Sequence, residues 1–171
     1  MTAEPRAPDV GPIELRTVPR MRVARCFYEG DARGLGPALK QVEEAARLRR
    51  VGPVGVSIAV FPAWVEAVTT EDGSVRVPPL FAELRVPVSN VAETVADAAI
   101  PIEFVRVDRF RAVCRLYSGP AGSALRRAQE EMFAWIDKAG LQRHGTRHHH
   151  AYMPNVHPGE ISLELRVPVT A

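Results

Sequence analysis

The hexapeptide Glu83-Leu84-Arg85-Val86-Pro87-Val88 returns unchanged as Glu164-Leu165-Arg166-Val167-Pro168-Val169, two residues before the end of the sequence. A second echo sits upstream. Ile13-Glu14, Val18, Arg20, Arg22, Tyr28 and Gly30 match Ile102-Glu103, Val107, Arg109, Arg111, Tyr117 and Gly119 at one constant offset. The chain therefore reads as one structural unit written twice, each copy too small to cover its own apolar face. Packing two such copies leaves a seam, and a seam between repeats is a natural place for a ligand.

The local pattern within each copy follows one order. Arg20 to Tyr28 alternates as a strand, Glu29 to Arg33 turns on Gly30, and Leu35, Leu39, Val42 and Ala46 form an apolar helical stripe running to about Arg49. Pro37 suits the first helical turn. Gly52-Pro53 stops the helix, Val54 to Val60 is a β-branched strand, Glu71-Asp72-Gly73-Ser74 signals a hairpin, and Leu80 to Val88 closes the copy. The second copy repeats this. Strands are expected over Ile102 to Val107 and Arg109 to Tyr117, and a turn at Ser118-Gly119-Pro120. A helix from about Gly122 to Lys138 follows, with Trp135 on its core stripe and Gly140 ending it, and then strands over Arg147 to Tyr152 and Ile161 to Val169. The fold class is α+β: tandem duplicated β-α-β-β modules forming antiparallel sheets with helices on one face and a ligand cleft between the repeats. Residues 1–12 are expected to be a flexible arm. Residues 13–169 form one domain, with repeat 1 at 13–88, a linker with a short helix at 89–101, and repeat 2 at 102–169.

Bulk composition excludes several classes. The formal net charge is +2, so no direct nucleic-acid partner is expected, and the Arg47, Arg49, Arg50 cluster reads as the basic end of a helix. No apolar run reaches the roughly 18–20 residues needed to span a bilayer. The first residues lack the order of a signal peptide, so the expected location is cytoplasmic, with no membrane partner. Cys26 and Cys114 fall one residue out of register between the copies. They should face opposite sides of their strands and remain free thiols.

The duplicated order, the Tyr-x-Gly turn before each helix, the run Glu130-Glu131-Met132-Phe133-Ala134-Trp135-Ile136 and the terminal hexapeptide together resemble the GyrI-like domain, which is also the effector-binding domain of BmrR-type multidrug regulators. The resemblance covers Ile13 to Val169. It implies a binder of small lipophilic, often cationic or aromatic molecules, held in a cleft between the repeats for sensing, sequestration or drug resistance. It also implies a ligand-contacting glutamate on the last strand, best matched by Glu164. About a dozen residues precede the first expected strand, too few for a helix-turn-helix domain, so the stand-alone form is the expected one. Some stand-alone relatives are hydrolases that open strained three-membered rings in DNA-alkylating natural products with a glutamate and a tryptophan. Here that would make Glu164 the general base, with Trp64 or Tyr152 stacking the substrate. A similar duplicated fold occurs in haem-binding SOUL-type proteins. Shielding of a topoisomerase is also attributed to relatives, although nothing in these residues marks a protein-binding face.

The candidate site residues follow. Glu164 and Glu83 should point away from the helices into the groove. There each either meets a ligand in a partly dry cleft or pairs with a neighbouring arginine on a solvated face. Tyr28, Tyr117, Trp64 and Tyr152, with Phe61, are candidate aromatic walls or packing residues. His148 and His150 share one face of their strand and His149 takes the other. They read as a ligand-facing or exposed polar strand. No metal site is assigned, because two imidazoles need a third ligand that only His157 or Glu160 offers. No cofactor is called for, and no phosphate loop, nucleophile elbow or Cys-x-x-Cys is present. Whether the chain is an enzyme is left open, with binding favoured.

Overall fold

A computed structural model describes residues 6–49, 52–89, 102–154 and 159–170. The short helix expected in the linker and His157 lie outside the described residues. In chain order the elements are β1 (Asp9–Val10), β2 (Glu14–Val18), β3 (Met21–Gly30), a 3-10 turn (Ala32–Gly34), α1 (Leu35–Leu48), β4 (Ile58–Phe61), β5 (Val68–Thr69), β6 (Val75–Arg76) and β7 (Leu80–Pro87). There follow β8 (Glu103–Val107), β9 (Phe110–Gly119), α2 (Ser123–Lys138), β10 (Gln142–Arg143), β11 (His148–Tyr152) and β12 (Ile161–Thr170). The α+β class and its duplicated order are as the sequence indicates. Asp9 and Val10, expected in the flexible arm, instead pair with Ser118 and Tyr117 of β9.

The two copies share one antiparallel sheet in the order β2-β9-β12-β11-β4-β7-β3-β8. The seam is the pairing of β4 with β11, where His148 opposes Phe61 and His150 opposes Ala59. Each copy also lends its first strand to the other: β2 pairs with β9, and β8 with β3. Only Pro19 and Arg20 join β2 to β3, and only Asp108 and Arg109 join β8 to β9. Links this short reach no more than about 11 Å. The two ends of the strand order must therefore meet at that end of the molecule, and the sheet curls around the face away from the helices. Met21 marks the closure by packing both with Val18, Ala112 and Cys114 and with Ile58, Val60 and Ala151. These residues are buried although no helix covers them.

The other face carries both helices. Leu35, Leu39, Val42 and Ala46 of α1 pack on Ala24, Ala82, Leu84 and Val86. Ala128, Met132, Phe133 and Ile136 of α2 pack on Val113, Leu163, Leu165 and Val167. The alternation Leu163, Leu165, Val167 inward to the helix and Glu164, Arg166 away from it is the period-two pleat read from the hexapeptide. Trp135 is a correction: it is 36% exposed, and Phe133 takes the core position instead. The α2 terminus is a Schellman motif. Gly140 adopts φ 72°, its N–H donates to Asp137 O, and Leu141 N–H donates to Ile136 O. Cys26 and Cys114 are free thiols on opposite faces, as their register requires.

Candidate ligand-binding cleft

Helix α1 rests on β3 and β7, and α2 on β9 and β12, so neither sits squarely over the central pair β4·β11. The gap this leaves on the helix face is a cavity of about 530 Å³. Its floor is Phe61 of β4, His148, His150 and Tyr152 of β11, and Leu163 of β12. The segment after β4 supplies Trp64 and Val65 as a wall, and the starts of α1 and α2 supply Leu35 and Leu125. Tyr152 belongs to the packing of both halves, which places it at the pseudo-twofold seam.

Aromatic contacts organise the floor. His148 stacks on Phe61 with centroids 5.0 Å apart, and His150 meets Phe61 edge-on at 4.8 Å. The Arg126 guanidinium lies over the Trp64 ring at 3.3 Å, a cation–π contact that fixes the indole against α2. Thr146 ties wall to floor. Its hydroxyl accepts the Trp64 backbone N–H at 2.9 Å, and its carbonyl accepts His148 Nδ1–H at 2.7 Å. Gln129, buried on α2, reaches His150 Nε2 at 2.6 Å. Burial lowers the pKa of His148 against the opposing effect of the Thr146 hydrogen bond, and burial together with His148 pushes His150 down to about 3. Both rings are therefore neutral at physiological pH. Burial pushes the Tyr152 phenol up, so it stays protonated.

Of the eight residues singled out from sequence, Trp64, Tyr152, His148 and His150 line this cavity. The other four lie elsewhere. Glu164 does point away from the helices, but the cavity is on the helix side, so the carboxylate does not floor it. The physical reason is the seam itself. Main-chain pairing closes the seam of β4 with β11, and the space between the two separately seated helices lies above it, on the face opposite Glu164. Glu164 is instead held by Arg166 Nε at 2.6 Å and Arg16 Nη2 at 2.8 Å, its side chain 15% exposed. Burial pushes its carboxyl up, but the two arginines outweigh that and hold it below the ordinary glutamate range. Glu83 occupies the matching place, paired with Arg85 at 2.6 Å and with Arg25 at 3.9 Å. Tyr28 and Tyr117 are matched braces. Their hydroxyls donate to the carbonyls three residues on, Asp31 at 2.6 Å and Pro120 at 2.5 Å, and pin the turn before each helix.

His149, on the inner face, is 3% exposed and packs edge-on to Phe110 at 5.5 Å. Burial, then Arg85, Arg147 and Arg166, keep it neutral. Among the described residues no group of three His, Cys, Asp or Glu is placed to hold a metal ion, and no helix is long and apolar enough to cross a membrane. Gln129 was missed at the sequence level. Its signal was a polar residue between Leu125 and Met132 on an otherwise apolar stripe.

Neither a protein-family model nor a curated protein matches the chain. Solved structures do. The C-terminal domain of EcmrR is 15% identical with a TM-score of 0.64, over 94% of this chain and 98% of that one. A hydrolase from Listeria innocua is 16% identical with a TM-score of 0.63, over 98% of this chain and 94% of that one. SAV2435, solved bound to tetraphenylphosphonium, is 10% identical with a TM-score of 0.55, over 94% of each chain. In the complex of EcmrR with DNA, the match spans 57% of the EcmrR chain. At these identities the likeness is one of architecture: the chain shares the α+β fold of these structures, in the duplicated order that its sequence indicates.

Proposed function

We propose that this chain is a small-molecule binder whose site is the cavity above the β4·β11 seam, and that the ligand is lipophilic, aromatic and uncharged. One observation carries this reading: a cavity of about 530 Å³ floored by Phe61, His148, His150 and Tyr152 and walled by Trp64. That volume is in the range of small-molecule sites, and aromatic faces with a few polar atoms are their usual lining. A neighbour of the same fold carries a lipophilic cation, tetraphenylphosphonium. Here the electrostatics run the other way. Among the described residues the lining includes Arg33 and no carboxylate, and the starts of both helices, with their partially positive N-termini, line the cavity. Ring faces offer some attraction to a cation, but no counter-charge supports it. A Glu164–Trp64 hydrolytic pair has no geometric support either, because the two side chains lie on opposite faces of the sheet.

The test is titration of a Trp135→Phe protein, in which Trp64 is the sole tryptophan, with neutral polycyclic aromatics and with tetraphenylphosphonium. Saturable quenching by the neutral compounds is expected. Trp64→Ala, which removes that fluorophore and is therefore titrated by calorimetry, should weaken their binding about three- to tenfold, the value of one aromatic contact. Absence of quenching by any aromatic compound overturns the reading, and tighter binding of the cation overturns the charge preference.

A further inference from the structure

With the cavity taken as the binding site, we infer that its ligand is a hydroxylated aromatic whose ring O–H donates to Nε2 of His148. The proton inventory of that ring is fixed by its neighbour. Nδ1 lies 2.7 Å from the Thr146 carbonyl oxygen, which can only accept, so the proton is on Nδ1. A neutral imidazole with its proton there presents a lone pair at Nε2 and can only accept. Among the described residues nothing donates to that atom, although the residue is 5% exposed and lines the cavity. That acceptor has its place in the wall of the cavity, and a donor group arriving with the ligand can pair with it away from bulk water.

The walls define what carries the donor. His148 is flanked by Phe61 at 5.0 Å and by Trp64 at 6.5 Å, so the group reaching it slides in beside aromatic rings. An ammonium donor would bring positive charge beside Arg33 and two helix N-termini, with no carboxylate to balance it. A neutral hydroxyl on a flat ring meets both conditions. Tyr152, on the same floor, brings a phenol hydroxyl that a second polar substituent could meet. Thr146 keeps the arrangement rigid, because it holds the Trp64 backbone as well as the His148 ring.

Calorimetric titration with 1-naphthol and with its methyl ether, 1-methoxynaphthalene, decides the matter, using the wild-type chain and His148→Phe. The two probes share one ring system and differ in the O–H. The wild type should bind the naphthol about tenfold more tightly than the ether, the worth of one hydrogen bond to an enclosed acceptor. His148→Phe keeps a flat ring against Phe61 and should bind both probes alike, at the affinity of the ether. Equal binding of the two probes by the wild type overturns the inference and leaves the cavity as the site. A naphthol preference that survives in His148→Phe removes His148 from it. Failure of the wild type to bind either probe sinks the cavity reading itself. Should His148→Phe not fold, equal binding of the two probes by the wild type still overturns the inference, and loss of the naphthol preference in Tyr152→Phe would move the contact from His148 to Tyr152.

Discussion

Glu164→Gln separates the two faces of the sheet. In the folded chain the carboxylate accepts from Arg166 Nε at 2.6 Å and from Arg16 Nη2 at 2.8 Å. A hydrogen bond to a charged group contributes about 1.5–3 kcal/mol. The Arg16 contact is discounted toward 0–1 kcal/mol because that guanidinium is half exposed, at 46%. Glutamine keeps one acceptor oxygen but turns an NH₂ toward a guanidinium. The net loss is then about 2 kcal/mol, and in a domain of 171 residues this lowers Tm by about 4–8 °C. Affinity for a neutral aromatic ligand should stay within about twofold, because the carboxylate and the cavity lie on opposite faces. The pH dependence has a definite sign. The folded pKa of Glu164 is depressed, so its contribution is present above the ordinary glutamate pKa and disappears as pH falls through the depressed value. The Tm gap between wild type and variant should narrow in acid. Scanning calorimetry from neutral pH downward, with and without ligand, reads both quantities. An unchanged Tm together with lost affinity would refute the reasoning and put the ligand on the inner face beside Glu164.

Two further outcomes follow from the geometry. Tyr117→Phe removes the hydroxyl bond to the Pro120 carbonyl in a side chain 1% exposed, and should cost about 1 kcal/mol by urea denaturation with ligand affinity unchanged; affinity loss without destabilisation would make the tyrosine a cavity residue. His150, pushed down to about 3 by burial, is neutral when folded and protonates near its ordinary pKa when unfolded, so stability should fall as pH drops from about 6.5. The slope is at most about 1.4 kcal/mol per pH unit for one proton, and His150→Gln should lessen it; an identical acid limb in the variant would place the titration elsewhere.

Much of this molecule was legible as sequence because period and repetition are local properties. The hexapeptide alternation told which side of β7 and β12 meets the helices, since side chains on a strand must alternate. The same parity put His148 and His150 together and His149 apart. The stripe on α1 predicted its buried residues Leu35, Leu39, Val42 and Ala46 and omitted Ala45. Trp135 failed on α2 because it and Phe133 flank opposite edges of the stripe, and only packing decided that the sheet covers the Phe133 edge.

The location of the cleft was a different kind of question. Glu164 points away from the helices, as the alternation requires, whereas the cavity of about 530 Å³ lies on their side. Nothing local states that β4 and β11 join edge to edge, that β2 and β8 cross to the opposite copies, or that links of two residues curl the sheet over its inner face. Those are long-range pairings. They turned an acidic strand into an arginine-clamped structural element and left the aromatic and imidazole side chains of β4 and β11 around the open space. The sequence by itself determined which residues share a face; the tertiary structure decided which face stays open, because that depends on where two helices fail to meet.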